Sequence, residues 1–159
     1  MSIQIGDPIP SAVLSQMAEE GPQPIRTIDY FAGRRVVLIS VPGAFTPTCS
    51  AYHLPGYVEK FADFSDRGID AIACIAVNDV FVMHAWGKSA NATGIDMLAD
   101  GNGEFAQALG LEMDATAFGM GKRSQRFALV ADDGIVTHLM VEAPGEFRVS
   151  SAESVLAAL

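Results

Sequence analysis

RVVLISV at residues 35–41 and IDAIACIAV at residues 69–77 are nearly unbroken apolar runs rich in valine and isoleucine. Strands with this pattern are covered on both faces, as in the parallel centre of a sheet packed between helices. Between the two runs, Leu54, Tyr57, Val58, Phe61 and Phe64 recur at helical spacing, which leaves Glu59, Lys60 and Asp63 for solvent. A strand, an amphipathic helix and a second strand form a βαβ unit, so the two runs are expected to be central and parallel.

The same reading extends downstream. VFVMHAWGKS after Asn78-Asp79 predicts a second helix, IDMLAD at 95–100 a short strand, and residues 104–109 a helical turn closed by Gly110. FALVA at 127–131 and IVTHLMV at 135–141 flank Asp132-Asp133-Gly134, a hairpin signal, so these strands are expected to be antiparallel. Ser150-Ser151 ahead of Ala152-Glu153 predicts a capped final helix. The order βαβ then ββα predicts one α/β domain over 1–159, a central mixed sheet flanked by helices on the thioredoxin-like plan with additions. The length of 159 residues also suits a single domain.

Composition narrows the function classes. Ten Lys and Arg against 19 Asp and Glu give a net charge of −9, the wrong sign for general nucleic-acid binding. With 50% hydrophobic and 18% charged residues the chain has ample material for a core. Its apolar runs fall far below the ~20 residues that span a bilayer, so no membrane partner is expected. The opening MSIQIGDPIP lacks a basic stretch followed by an apolar one, so no export is expected and the reading is cytoplasmic. Cys49 and Cys74 form neither a CxxC pair nor a metal-ligand cluster. Free thiols in a reducing compartment and no metal are expected.

VPGAFTPTCSAYHLPGY at 41–57 leaves the carboxyl end of the first central strand, where open α/β sheets bind ligands. Thr46 suits an N-cap and Pro47 the first helical position, which places Cys49 in the first turn. There the helix dipole favours the nucleophilic thiolate. A small buried cysteine packed under a loop is the other reading of the same residue.

The pattern Pro42-Gly43-Ala44-Phe45-Thr46-Pro47-Thr48-Cys49 resembles the active-site loop of peroxiredoxins, and with HLPGY at 53–57 it is most similar to their type II subfamily. The likeness continues through Val77-Asn78-Asp79 with Ala85-Trp86-Gly87-Lys88, through Arg126-Phe127, and into GEFRVSSAE at 145–153. It implies a thiol-dependent peroxidase acting on hydrogen peroxide and small alkyl hydroperoxides. The Cys49 thiolate would attack the terminal peroxide oxygen and become a sulfenic acid. By similarity, Arg126 supplies positive charge beside the sulfur, Thr46 hydrogen-bonds the sulfur or peroxide through its hydroxyl, and Pro42 shields the pocket. Backbone N–H groups near Cys49 would complete the donor set. Lys122 and Arg123 lie close to Arg126 in KRSQR, a local positive cluster in an acidic chain. The resemblance further implies no bound cofactor and a homodimer with the Cys49 loop near its interface, Phe45 and Trp86 contributing.

Cys74, inside AIACIAV, reads either as a buried strand cysteine or as a resolving cysteine for the Cys49 sulfenate. EFRVSSAES near the C-terminus carries no thiol, so reduction by an external thiol (glutathione with glutaredoxin, or thioredoxin) is expected. His53, four residues after Cys49, is placed to tune the field around the sulfur. His84 and His138 are expected to pack or face solvent. Asn78-Asp79 is expected to cap the next helix, and Trp86 to join the core or an interface. A disulfide oxidoreductase would need a second thiol, absent from Cys49 to Tyr52 (CSAY). A redox sensor passing oxidation from Cys49 to a partner protein is the alternative to the peroxidase.

Overall fold

The computed structural model describes residues 1–159. Its centre is the expected βαβ unit. Strand β3 (Arg35–Ser40) lies parallel to β4 (Ala71–Ala76) with Ile39 opposite Cys74, and β4 lies parallel to β5 (Ile95–Ala99) with Cys74 opposite Met97. Along β3, Val37 and Ile39 face one core and Val36 and Leu38 the other, all four with no exposed surface. Each such side chain contributes about 2 kcal/mol over an exposed one, which is why these runs occupy the middle of the sheet.

Strands β8 (Phe127–Asp132) and β9 (Ile135–Val141) extend the sheet antiparallel beside β3. Their turn is the predicted one, with Asp133 at φ 49° and Gly134 at φ 78°. On the far edge a hairpin of β1 (Val13–Ala18) and β2 (Gly21–Arg26) completes seven strands in the order β2-β1-β5-β4-β3-β8-β9. This hairpin escapes the sequence reading because Pro22 and Pro24 interrupt the strand pattern, and an edge strand tolerates them. The short helix α1 (Thr27–Phe31) and a two-stranded ribbon of β6 (Glu112–Asp114) and β7 (Lys122–Ser124) are also additions to the sequence reading.

The crossover helix departs from its expectation. Residues 54–66 form two short helices, α2 (Leu54–Glu59) and α3 (Phe61–Asp66), separated at Lys60 (φ −100°, ψ 15°). Leu54, Tyr57 and Phe64 are buried as the spacing requires. Helix α4 (Val80–Ser89) follows β4, capped by Asp79, whose Oδ1 accepts from the Val82 N–H at 2.9 Å. Helix α5 (Glu104–Leu109) ends at Gly110 in the left-handed region, and α6 (Ala152–Ala158) is capped by Ser151. No helix is long and apolar enough to cross a membrane.

Candidate active site

The loop leaving β3 turns at Gly43-Ala44-Phe45, is tied to the end of β4 by the Ala44 N–H donating to Asn78 Oδ1 at 2.9 Å, and enters a π-helical turn, Cys49–His53, that runs on into α2. In that turn the Leu54 N–H bonds to the Cys49 carbonyl, one residue further than an α-helix would reach. The wider turn brings Cys49 and His53 inward together, both with no exposed surface. Of the Asn78-Asp79 pair only Asp79 caps α4; Asn78 holds the loop.

Arg126, just before β8, reaches both residues. Its Nη2 donates to Cys49 Sγ at 3.1 Å and its Nη1 to His53 Nδ1 at 2.9 Å. A guanidinium has only donors, so Nδ1 must be the accepting nitrogen and Nε2 carries the proton. Nε2 then donates to the Ser150 carbonyl at 3.1 Å, which also accepts from the Tyr57 hydroxyl at 2.7 Å. Burial and the neighbouring Arg126 charge push the His53 pKa down to about 3, so the ring is neutral at physiological pH.

Above Arg126 lies a cavity of about 580 Å³ bordered by Pro42, Thr48, Met113, Phe118, Glu142 and Pro144 among others. Pro42 and Arg126 both line it. Thr46 does not take its expected contacts. Its hydroxyl donates to the Gly43 carbonyl at 2.7 Å, neither capping the helix nor contacting the sulfur in this arrangement. That bond closes the tight turn before the helix, where the carbonyl is nearer than the sulfur. Of the basic cluster, Arg123 also serves the loop, its Nη1 donating to the Pro42 carbonyl at 3.4 Å, while Lys122 is exposed.

Cys74 shares the Cys49 side of the sheet but lies inside it, paired on both edges and free of any disulfide. Burial raises its pKa well above the ordinary thiol value, which keeps the sulfur protonated. Trp86 is 1% exposed and belongs to the core, its Nε1 donating to the Ser50 hydroxyl at 3.0 Å, so it offers no surface to a partner. Phe45, 53% exposed, does. His138 packs between the Thr137 hydroxyl and the Ala158 carbonyl, and His84 is half-buried on α4.

The sequence reading passes over Glu142. Its carboxylate accepts from the N–H groups of Arg148, Val149 and Ser150 at 2.8–2.9 Å and from the Ser150 hydroxyl at 2.6 Å. Burial alone would raise its pKa, but these donors outweigh burial and hold it below the ordinary carboxylate value. Nothing local marks Glu142, because its partners come from the next loop.

Comparison with known proteins gives the family. Residues 4–156 match the Redoxin family model. Peroxiredoxin-2B from Arabidopsis thaliana is 46% identical over 159 residues, covering 99% of this chain and 98% of its own length. Peroxiredoxin-2E-2 from Oryza sativa is 48% identical over 164 residues, covering 99% of this chain and 73% of its own. Among solved structures, reduced Prx3 from Vibrio vulnificus in complex with hydrogen peroxide superposes with a TM-score of 0.96 at 53% identity, covering 98% of each chain. Matches of this extent, meeting a cysteine held by an arginine at the end of a central strand, show that the chain belongs to the type II peroxiredoxins, thiol-dependent peroxidases of thioredoxin-like fold.

Proposed function

We propose that Cys49 is the peroxidatic sulfur and that Arg126 is its electrostatic partner, with hydrogen peroxide and small alkyl hydroperoxides as substrates. The observation that carries this reading is the 3.1 Å contact from Arg126 Nη2 to Cys49 Sγ below the cavity. In the reaction the thiolate attacks the terminal oxygen of ROOH, the O–O bond breaks, and the leaving alkoxide takes a proton to give ROH and the sulfenic acid. Arg126 steadies the thiolate before attack and the charge developing on the oxygens during it. Pro42 walls the cavity, and Thr46 shapes the loop and can turn its hydroxyl toward a bound peroxide. Met113, Phe118 and Pro144 give an alkyl substituent an apolar lip.

Recycling falls to an external thiol of the glutathione–glutaredoxin or thioredoxin kind. Cys74 would have to leave a strand bonded on both sides to reach the sulfenate. The thiol condenses with the sulfenic acid, releasing water and leaving a mixed disulfide, and a second thiol releases Cys49. Peroxide consumption measured with each reductant tests the assignment. Cys49→Ser is expected to abolish turnover and Cys74→Ser to retain it. Absence of turnover in the unaltered protein with every reductant would favour oxidation passed to a partner protein instead.

A homodimer is part of this reading. Phe45, Tyr52 and Phe81 are 53–65% exposed and follow the carboxyl ends of the parallel strands β3 and β4, the end of the sheet that carries Cys49. Sedimentation velocity is expected to show a dimer that Phe45→Glu weakens; a monomer at all concentrations would refute it.

A further inference from the structure

Residues 42–46 carry the chain from β3 toward the turn that holds Cys49, and two hydrogen bonds tie their backbone to distant parts of the chain. The Ala44 N–H donates to Asn78 Oδ1 at 2.9 Å, and the Pro42 carbonyl accepts from Arg123 Nη1 at 3.4 Å, the longer and weaker of the two. Phe45, next to Ala44, has φ 63° and so lies in the left-handed region. Any residue but glycine is strained there and stays only where its surroundings hold it. The phenylalanine ring gives little hold, being 53% exposed and 6.5 Å from the Trp86 ring between centres. Asn78 is well placed to supply it, two residues beyond β4 and directly before Asp79, the cap of α4. Immediately after Phe45, the Thr46 hydroxyl closes on the Gly43 carbonyl, and the Thr46 carbonyl accepts from the Ser50 N–H at 2.9 Å across Cys49. Whatever fixes Phe45 therefore fixes the start of the turn that carries the sulfur.

From this arrangement we infer that Asn78 is a positioning residue for the peroxidase step, its amide oxygen holding the Ala44 N–H so that the strained turn at Phe45 delivers Cys49 to its place against Arg126. Without that acceptor, Phe45 is free to relax to negative φ, and the chain then leaves β3 in another direction. Thr46 and the Cys49 turn follow it, because both are bonded to this segment. In-line attack on a peroxide needs the sulfur, the two oxygens and the Arg126 donors in one geometry, and a displacement well under the length of a bond is enough to spoil it. Asn78 touches neither sulfur nor substrate, and acts through the backbone of the loop. The inference rests on the assignment of Cys49 as the peroxidatic sulfur and adds what holds its loop in register with β4.

The test uses Asn78→Ala, which has no acceptor, and Asn78→Asp, whose carboxylate keeps one in the place of Oδ1. Two reactions of the reduced full-length protein are followed: single-turnover oxidation by hydrogen peroxide, read by residual thiol, and alkylation by neutral iodoacetamide. Both are run above the alkylation midpoint of each variant, so that every sulfur compared is a thiolate. Asn78→Ala is expected to slow peroxide oxidation about tenfold without slowing alkylation, which needs the thiolate but no in-line geometry. Asn78→Asp is expected to restore most of the peroxide rate. An Asn78→Ala protein as fast with peroxide as the original would overturn the inference. So would an aspartate variant as slow as the alanine one, or equal slowing of both reactions, the pattern of a disturbed fold. Should the alanine variant not fold, Asn78→Ser replaces it, since its hydroxyl stops one bond short of the Ala44 N–H. Aspartate faster than serine then supports the inference, and equal rates overturn it. Failure of the unaltered protein to react with peroxide would instead remove the Cys49 assignment and the inference with it, a result distinct from all of these.

Discussion

Arg126 divides its two terminal nitrogens between a sulfur and an imidazole, a task for a planar fork. Lysine offers one compact ammonium that cannot satisfy both acceptors in these directions. Arg126→Lys is therefore expected to lower the rate of peroxide oxidation by about 10²-fold or more despite keeping the charge, as rapid-mixing kinetics would show. Cys49 was legible because its signals are local, a strand end, a Thr-Pro helix start and the surrounding motif. His53 was legible only as a neighbour of Cys49. Its partners were not, since Arg126 lies 73 residues away and Ser150 lies 97 away. Glu142 gave no signal for the same reason. The type and position of Thr46 suit a cap, yet the nearer Gly43 carbonyl takes its hydroxyl and the helix goes without that cap.

Elements with a single dominant periodicity were read correctly, and those with mixed signals were not. The central strands and the Asp-Asp-Gly hairpin follow from apolar runs and turn chemistry, whereas the edge hairpin contains prolines and the crossover helix breaks at Lys60. The π turn has no composition of its own; the extra residue per turn is selected by the contacts of Cys49 and His53 inside the molecule. Helix α5 ends as its glycine requires. Gly110 has φ 70°, and a Cβ placed there would lie 2.5 Å from the Met1 carbonyl oxygen, where the N-terminal segment crosses the helix end. Gly110→Ala is expected to lower unfolding free energy by about 2 kcal/mol or more from the backbone strain together with that collision, measured by urea denaturation.

Across the whole molecule, buried ionisable groups set how the fold responds to acid. His53 takes up a proton near pH 6.5 when unfolded but only near pH 3 when folded. Between these values the unfolded chain binds the extra proton, so stability falls as pH drops below about 6.5, and the contribution is lost by about pH 3. Glu142, held below its ordinary value, acts in the same direction, while Asp100, raised mainly by burial, opposes both. Thermal unfolding between pH 7 and 4 is expected to show a shallower decline for His53→Asn than for the unaltered protein, since that variant has no proton to gain at this position.

The chain contains one tryptophan, and its indole N–H bonds to the hydroxyl of the residue that follows Cys49. Indole emission responds to the polarity and hydrogen bonding of its surroundings, and no second fluorophore of its kind dilutes the signal. The molecule thus carries a built-in optical reporter one residue from its sulfur, through which the oxidation state of Cys49 can be followed in unlabelled protein.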